Sequence, residues 1–433
     1  MSVPPFPEHP QREMLIRELH ARPSEPHKAP MRISQITILS GEHGGDSDRA
    51  HLARLCSRKG APPPAEGAKQ HVADFGGLTV KWERHTEFSS YAFSRRAHFT
   101  MPFEQPVIEE VPQDWLAELP GDVLSAVHVA LLPSAVEMPD AEELSLRHFN
   151  GNPLIANTVA GGKARVWADF RLHADHFTRI LVQDLGLDER HAGRTIQRLI
   201  ELNTYRALSL LAFPLAQDTL PQLRGIDESL AEVSTRMADT ADPATDAELL
   251  SRLSQLSADI ESLAARTSYR FGATRAYYGL VRQRLRDLRT DRLEGYLTID
   301  GFLDRRMGPA MATCETAETR QEALAQRATR IGSLLRARVE VAVEKQNSDL
   351  LTSMNERSRI QLKLQETVEG LSVVAISYYA VGLVSYLFKG VESTGVPLNV
   401  GIATGLSVPV VAGLVWYGIH TAKHAVVKRK DTD

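Results

Sequence analysis

The chain has 433 residues and almost balanced charge, with 50 basic and 54 acidic side chains and a formal net charge of −4. Because there is no basic excess, the composition gives no support to a nucleic-acid partner, and we predict none. Two cysteines, Cys56 and Cys314, are too far apart in the sequence for a metal-binding spacing or a disulfide framework, so we predict no metal centre.

Residues 1–180 carry short apolar and alternating runs that are typical of strands, with a few helical patterns among them. Gly161 and Gly162 stand at a turn position that tolerates positive φ. We predict a mixed α/β domain with a largely antiparallel or mixed sheet. Its predicted elements are a helix at Gln11–His20, a helix capped by Asp46 or Ser47, and strands at Met31–Ser40, Leu78–His85, Phe88–Phe99, Val123–Leu132, Leu154–Ala160 and Ala164–Arg171.

Residues 189–368 lack strand patterns and are predicted to form long helices, described here as the stalk. We expect one helix at Ala192–Leu215 that stops near Pro214, and a helical hairpin that turns at Asp239–Thr245. A helix at Leu249–Arg289 and a break at Gly308 and Pro309 follow. The last helix is predicted to begin near residue 318 and to pack against its own hairpin or against other subunits. Its apolar positions are Leu324, Ala328, Ile331, Leu335, Val339, Ala342, Leu350 and Met354.

Two uncharged segments close the chain, with 19 residues at Gly370–Phe388 and 24 residues at Val396–Ile419. Since a helix of about 20 apolar residues crosses a bilayer, we predict a transmembrane hairpin at 370–419 and a basic tail at 420–433. The predicted fold class is therefore α+β. It combines an N-terminal mixed α/β domain with a long helical stalk and a C-terminal two-helix transmembrane hairpin.

Basic residues flank the two predicted spans and are almost missing from the turn between them, where Lys389 stands. By the positive-inside rule, this asymmetry predicts that both termini are cytoplasmic and that the partner of the hairpin is the lipid bilayer. The flanking residues are Arg357, Arg359, Lys363, Lys423, Lys428, Arg429 and Lys430.

The densest group of polar side chains lies at residues 169–176. In a strand, Asp169, Arg171, His173 and Asp175 would share one face, because alternate residues point the same way. An arginine within this group argues against a cation site, so we favour a structural polar network over a metal or catalytic site.

A second polar pair, His20 and Arg22, follows the first predicted helix. It is suited either to binding an anion or to capping the carbonyl groups at the helix end, and we favour the cap.

Polar and small residues also occur within the predicted spans. Tyr378, Tyr379 and Tyr386 carry hydroxyls in the first span, while Gly401 and Gly405 form a GxxxG pattern in the second. Hydroxyls inside a bilayer face protein or water, and GxxxG allows close helix packing. These residues therefore indicate helix contacts or a pore.

Several long runs resemble a bacterial family of uncharacterised membrane-anchored proteins of unknown function. The resemblance implies a cytoplasmic domain on a two-span anchor in the bacterial inner membrane, with no assigned activity or site. The runs are ELHARP (18–23), DFRLHADHF (169–177), GRTIQRLIELNTYR (193–206), FLDRRMGPAMATC (302–314) and LQETVEGLSVVAISYYAVGL (364–383).

The order of elements is also similar to that of the CorA-type divalent-cation channels, in which a stalk helix becomes the first, pore-lining span. The run SYLFKGVE (385–392) stands where that family has its Gly-Met-Asn signature. This second resemblance therefore concerns architecture alone.

No phosphate-binding loop, serine-hydrolase elbow or zinc-protease motif occurs, so we predict neither an enzyme nor a cofactor. The favoured function is that of a homo-oligomeric membrane scaffold or sensor whose small-molecule ligand is unknown. The first alternative is a CorA-like channel or transporter. A third hypothesis is an enzyme that uses His20 and Arg22 with the cluster at 169–176.

Overall fold

The computed structural model describes residues 7–19, 24–239, 242–392 and 399–430. The chain divides into two compact units. The first unit comprises Met1–Thr240 and Glu248–Gly332, and the second comprises Ala241–Ala247 and Ser333–Asp433.

Within the described residues of the first unit, nine strands form a single sheet in the order β2-β3-β4-β1-β5-β8-β7-β6-β9. Neighbouring strands are antiparallel except for β5 and β8, which are parallel. The strands are β1 Met31–Leu39, β2 Gln70–Asp74, β3 Leu78–Arg84, β4 Phe88–Arg95, β5 Asp122–Leu132, β6 Ile155–Val159, β7 Ala164–Ala168, β8 Thr178–Asp184 and β9 Asp291–Arg292.

Helices pack on both faces of this sheet, and the later helices of the chain are long. A short 3-10 turn, Val107–Glu110, precedes the third helix. The helices in chain order are α1 Arg12–Leu19, α2 Gly45–Lys59, α3 Gln113–Ala117, α4 Ala141–Phe149, α5 Glu189–Leu210, α6 Ala212–Asp239, α7 Pro243–Leu288, α8 Ile299–Glu392 and α9 Val400–Lys430.

Strand β1 lies at the centre of the sheet and is buried on both faces. Ile36 and Ile38 pack on one face in a core with Trp82, because side chains of a strand alternate in direction. Ile33 packs on the opposite face in a second core that includes Ile196 of α5. Strand β1 therefore separates these two cores.

The local sequence patterns predicted most of the sheet correctly. The hairpin of β3 and β4 is confirmed, and so is the turn between β6 and β7, where Gly161 and Gly162 have φ values of 67° and 82°. The predicted cap of α2 is wrong, since Gly44 occupies the cap position and Asp46 lies in the first turn. Strands β2, β8 and β9 were not predicted. Strand β8 extends the sheet beyond residue 180, and β9 adds a strand from the region predicted to be helical throughout.

Two predictions about proline were wrong. Helix α8 continues through Pro309, although proline removes one backbone donor. The neighbouring side chains Met307, Ala310 and Met311 are buried, and this packing stabilises the helical course at the proline. Conversely, the single helix predicted at Ala192–Leu215 is divided between α5 and α6, so that Pro214 lies in the first turn of α6, where it is tolerated.

The second unit contains the end of α8 and all of α9. Both helices are long and apolar enough to cross a membrane, α9 over Val400–Thr421, and the apolar window of neither is buried within the protein. Leu335 is fully buried, whereas every described residue of α8 between 343 and 368 is exposed. This exposed stretch includes the predicted packing positions Leu350 and Met354.

The second turn of α5 lies very close to the segment that precedes β1. A Cβ atom on Gly193 would stand 1.8 Å from the backbone oxygen of Glu25 and 2.9 Å from its carbonyl carbon. Since both atoms belong to the backbone, no side-chain rotation relieves the contact. Glycine at this position therefore allows the segment to pack closely against α5.

We expect the substitution Gly193→Ala to lower the free energy of unfolding by about 1–3 kcal/mol, because the added methyl group forces the backbone apart. Gly272→Ala in α7 is the matched control, since its Cβ would meet no atom within 4 Å. The control should be neutral or stabilising by up to about 1 kcal/mol. Denaturant unfolding of the full-length protein in detergent measures both values, and equal stability of the two variants would contradict the steric argument.

Candidate functional site

A cavity of about 310 Å³ lies between one face of the sheet and helix α5. This volume is at the lower end of the range found for ligand pockets. Strands β1, β3 and β4 form its floor, and α5 covers it. The residues that line it include Glu25, His27, Ile33, Gln35, Lys81, Glu83, Phe88, Ser90, Ala92, Ser94, Ile196, Gln197, Ile200, Glu201, Thr204 and Arg284.

The cavity exists because the middle strand of its floor carries small side chains. In β4, Ser90, Ala92 and Ser94 point to this face. Ala92 pairs with Gln35 of β1 on one side and with Lys81 of β3 on the other. Long side chains on the outer strands thus flank a row of short ones, which leaves space beneath α5.

Gln35 is the most deeply buried polar side chain that has an incomplete set of hydrogen bonds at this cavity. Only 2% of the residue is exposed. Its Nε2 donates to Thr37 Oγ1 at 2.9 Å, and Thr37 Oγ1 contacts Thr204 Oγ1 of α5 at 3.2 Å. Its Oε1 has no hydrogen-bond partner among the described residues. A buried group in this state typically costs about 1–3 kcal/mol.

His27 lines the same cavity from the segment before β1. Its backbone N–H donates to the carbonyl oxygen of Glu189 at 2.9 Å, which holds the segment against the start of α5. Burial, with a further contribution from the charge on Lys81, lowers the pKa of His27 from 6.5 to about 4. The imidazole is therefore neutral at pH 7, and its Nδ1 finds no hydrogen-bond partner in the described part of the chain.

The cationic side chains of the cavity lie in ion pairs. Lys81 Nζ is 3.0 Å from Glu83 Oε1, and both side chains are largely buried. Arg284 of α7 contacts Glu201 of α5 and lies 3.0 Å from Asp287. These pairs place compensated charges around a partly apolar interior.

The predicted cluster at 169–176 is a loop, because β7 ends at Ala168 and β8 begins at Thr178. Asp169 Oδ2 accepts hydrogen bonds from His173 Nε2 at 2.9 Å and from Asn152 Nδ2 at 2.8 Å. The side chains of Asp169 and His173 are fully buried. The Arg171 side chain is exposed, and only its backbone N–H reaches Asp169. The four residues thus do not share a strand face.

Asp175 turns away from that pair and contacts His128 of β5, with 3.6 Å between Asp175 Oδ2 and His128 Nε2. His128 Nδ1 is hydrogen-bonded to Ser34 Oγ at 2.8 Å, and the ring stacks on Phe177. Burial raises the pKa of Asp175, but the neighbouring His128 and the hydrogen bond from the Phe177 N–H outweigh this effect, so the pKa falls to about 2. Sequence patterns gave no signal for this contact.

The residue types found in serine hydrolases occur together in Ser34, His128 and Asp175. The surroundings of the Ser34 hydroxyl, however, differ from those of a catalytic nucleophile. Only 1% of Ser34 is exposed, and its hydroxyl accepts a hydrogen bond from the Ile108 N–H at 3.3 Å. A catalytic serine must reach a substrate carbonyl group. The burial of this hydroxyl therefore favours a structural role.

The remaining candidate residues lie near the two ends of the chain. His20 and Arg22 lie outside the described residues. Tyr378, Tyr379 and Tyr386 of α8 are 73–77% exposed.

The GxxxG pattern lies on an exposed part of α9. A Cβ on Gly405 would meet no described atom within 4 Å, and one on Gly401 would meet Asn399 Oδ1 at 3.5 Å. Helix contacts at this pattern therefore stay a prediction. Across the described ranges, no group of three or more metal-capable side chains is present.

We expect stability to fall as the pH falls from 6.5 towards 4, because the unfolded chain then binds a proton at His27 that the folded chain does not. For this histidine alone, the loss between pH 8 and pH 5 should be about 2 kcal/mol. His27→Gln should reduce the pH dependence by that amount. Denaturant unfolding of the wild type and of His27→Gln at both pH values measures the change. At pH 8 the histidine is neutral in both states, so the difference between the two proteins there reports only the packing that the substitution removes. An unchanged pH dependence would contradict the burial of a neutral imidazole.

We expect Asp169→Ala to lower the free energy of unfolding by about 1–3 kcal/mol, because His173 and Asn152 lose their buried acceptor. Arg171→Ala is the control and should change stability by less than about 0.5 kcal/mol, since its side chain is exposed. Thermal unfolding measures both. A strong stabilisation of the wild type by Zn²⁺ that Asp169→Ala abolishes would indicate a metal site instead of a polar network.

Comparisons with known proteins agree with the resemblance carried by the long sequence runs. No match is found among curated proteins or among solved structures. Residues 7–426 match the family described as "Protein of unknown function (DUF3422)". Because this match covers almost the whole sequence, the chain belongs to the DUF3422 family of proteins of unknown function.

Proposed function

We propose that this protein is a non-enzymatic sensor or scaffold of the bacterial inner membrane, which assembles into homo-oligomers through the stalk and the spans. One observation carries the proposal. Helix α8 is continuous from buried positions such as Leu303, through the exposed residues 343–368, to the uncharged apolar residues 370–388. A single helix thus connects a folded α/β unit to a membrane-compatible end.

The anchor is proposed from the ends of α8 and α9. Residues 370–388 contain no charged side chain and remain exposed or half-buried, so a bilayer would cover surface that the protein itself leaves uncovered. The basic residues before the first span and after the second support a cytoplasmic position for both termini. The α/β unit then lies in the cytoplasm.

Assembly is proposed from an exposed heptad stripe on α8. Val343, Leu350, Met354, Leu364 and Val368 follow one another at intervals of seven, four, ten and four residues, and each is at least 50% exposed. Such spacing keeps apolar residues on one helix face, the pattern of a coiled-coil seam. A second copy of the same helix would cover this stripe.

A non-enzymatic role is supported by the polar groups of the first unit. The Ser34 hydroxyl is covered, and the Asp169–His173 pair is fully buried. The Ser34 hydroxyl and the Asp169–His173 pair are hydrogen-bonded within the protein, which supports a structural role for these groups.

An ion channel of CorA-like build is the second candidate, and one observation favours it. Tyr378, Tyr379 and Tyr386 leave their hydroxyl-bearing rings exposed on the first span. In a bilayer, such groups turn towards protein or water. A ring of first spans would place them on a common path.

We expect the full-length protein in detergent to have a mass of two or more chains, as measured by light scattering. The double substitution Leu350→Glu with Met354→Glu should reduce the mass to that of a monomer, since buried like charges oppose pairing. Thr352→Glu with Asn355→Glu is the matched control on the opposite helix face and should leave the mass unchanged.

A monomeric wild type, or equal effects of the two double variants, would remove the proposed stripe-mediated assembly. Ion flux through reconstituted protein separates the two candidates. Selective cation flux would favour the channel, and tight liposomes would favour the sensor or scaffold.

A further inference from the structure

The cavity between the sheet and α5 has the properties of a built binding site. It is enclosed by elements that are far apart in sequence, since β1, β3, β4 and α5 all contribute side chains. Apolar groups from Ile33, Phe88, Ile196 and Ile200 form part of the lining. A ligand would therefore contact apolar surface on both the floor and the cover.

An incompletely hydrogen-bonded side chain marks the polar end of this interior. Gln35 is 98% buried, and one end of its carboxamide bonds Thr37 while the other end has no partner in the described ranges. The neutral imidazole of His27 also leaves Nδ1 without a partner there. Buried polar groups are nearly always hydrogen-bonded, so a bound molecule that bonds them explains their presence.

The charge distribution specifies the ligand further. Lys81 is paired with Glu83, and Arg284 is paired with Glu201 and Asp287. A ligand that carried a net charge into this interior would meet counter-charges that are already engaged. The buried open atoms of Gln35 and His27 belong to an amide and an imidazole, which are uncharged. The Glu25 carboxylate also lines the cavity, so a cationic ligand is the alternative that the test must exclude.

We propose that this cavity binds a small uncharged molecule with an apolar body and a carboxamide or hydroxyl head that bonds Gln35. The assignment deepens the proposed sensor function, on which it rests, by giving the α/β unit a ligand class. Binding and oligomeric mass are separate measurements, so a failure of one is distinguishable from a failure of the other.

The test uses three probes of nearly equal shape, which are butanamide, butylammonium and butanoate. Binding to the full-length protein in detergent is measured by ligand-observed NMR, with empty micelles as the reference. We expect saturable binding of butanamide in preference to the two charged probes. Preference for butylammonium, which the Glu25 carboxylate at the cavity would favour, or for butanoate, overturns the proposal, and so does the absence of butanamide binding.

Gln35→Met keeps the side-chain length and removes the carboxamide. It should weaken butanamide binding about tenfold or more, the effect of removing one buried hydrogen bond. It should also raise the unfolding midpoint, because a buried group without a partner is replaced by an apolar one.

Gln183→Met in β8 is the matched control. Gln183 is also buried and also has an Oε1 without a partner in the described ranges, but it does not line this cavity. Butanamide binding that is unaffected by Gln35→Met, or weakened equally by Gln183→Met, would overturn the assignment.

Discussion

The first unit depends on how it accommodates polar side chains in the middle of its central strand. Ser34, Gln35 and Thr37 of β1 are each at most 2% exposed, although the strand is buried on both faces. A buried polar group needs a hydrogen-bond partner, because desolvation without one is costly. The partners of these side chains come from distant elements, which include β5 and α5.

Ser34 and Thr37 each contact a distant part of the chain, whereas Gln35 contacts Thr37 of the same strand. Ser34 bonds His128, and His128 in turn contacts Asp175 in the loop that was singled out from the sequence. Thr37 meets Thr204 of α5 on the opposite face of the sheet. Gln35 bonds Thr37 and lines the cavity. The central strand thus links the polar loop, the covering helix and the cavity through short contacts.

Local patterns in the sequence predicted the elements better than their contacts. The apolar residues of β1, β4 and β5 and the glycine turn after β6 were sufficient to place strands, because each signal lies within a few residues. The parallel pairing of β5 with β8 joins residues about 50 positions apart and has no local signal. Proline gave a misleading signal at Pro309, where burial of the neighbouring side chains stabilises the helix.

The candidate site was less predictable than the fold for the same reason. The run at 169–176 was visible because its histidines and aspartates are adjacent in sequence. The cavity was not, since its space arises from small side chains in β4 placed between long ones in β1 and β3. Gly193 shows the same limitation. Glycine is required there because the backbone of Glu25, 168 positions earlier in the chain, leaves no space for a Cβ atom.

The end of α8 shows how one helix changes its environment along its length. Leu335 is fully buried, whereas Val343, eight residues later, is 50% exposed and begins the heptad stripe. At 3.6 residues per turn, eight residues rotate the helix face by about 80°. The exposed apolar residues that begin at Val343 therefore lie on a different face of α8 from the buried Leu335. A helix that only connected the first unit to the apolar end of α8 would be expected to carry a polar surface there, so the separate apolar stripe supports the proposed pairing with a partner helix.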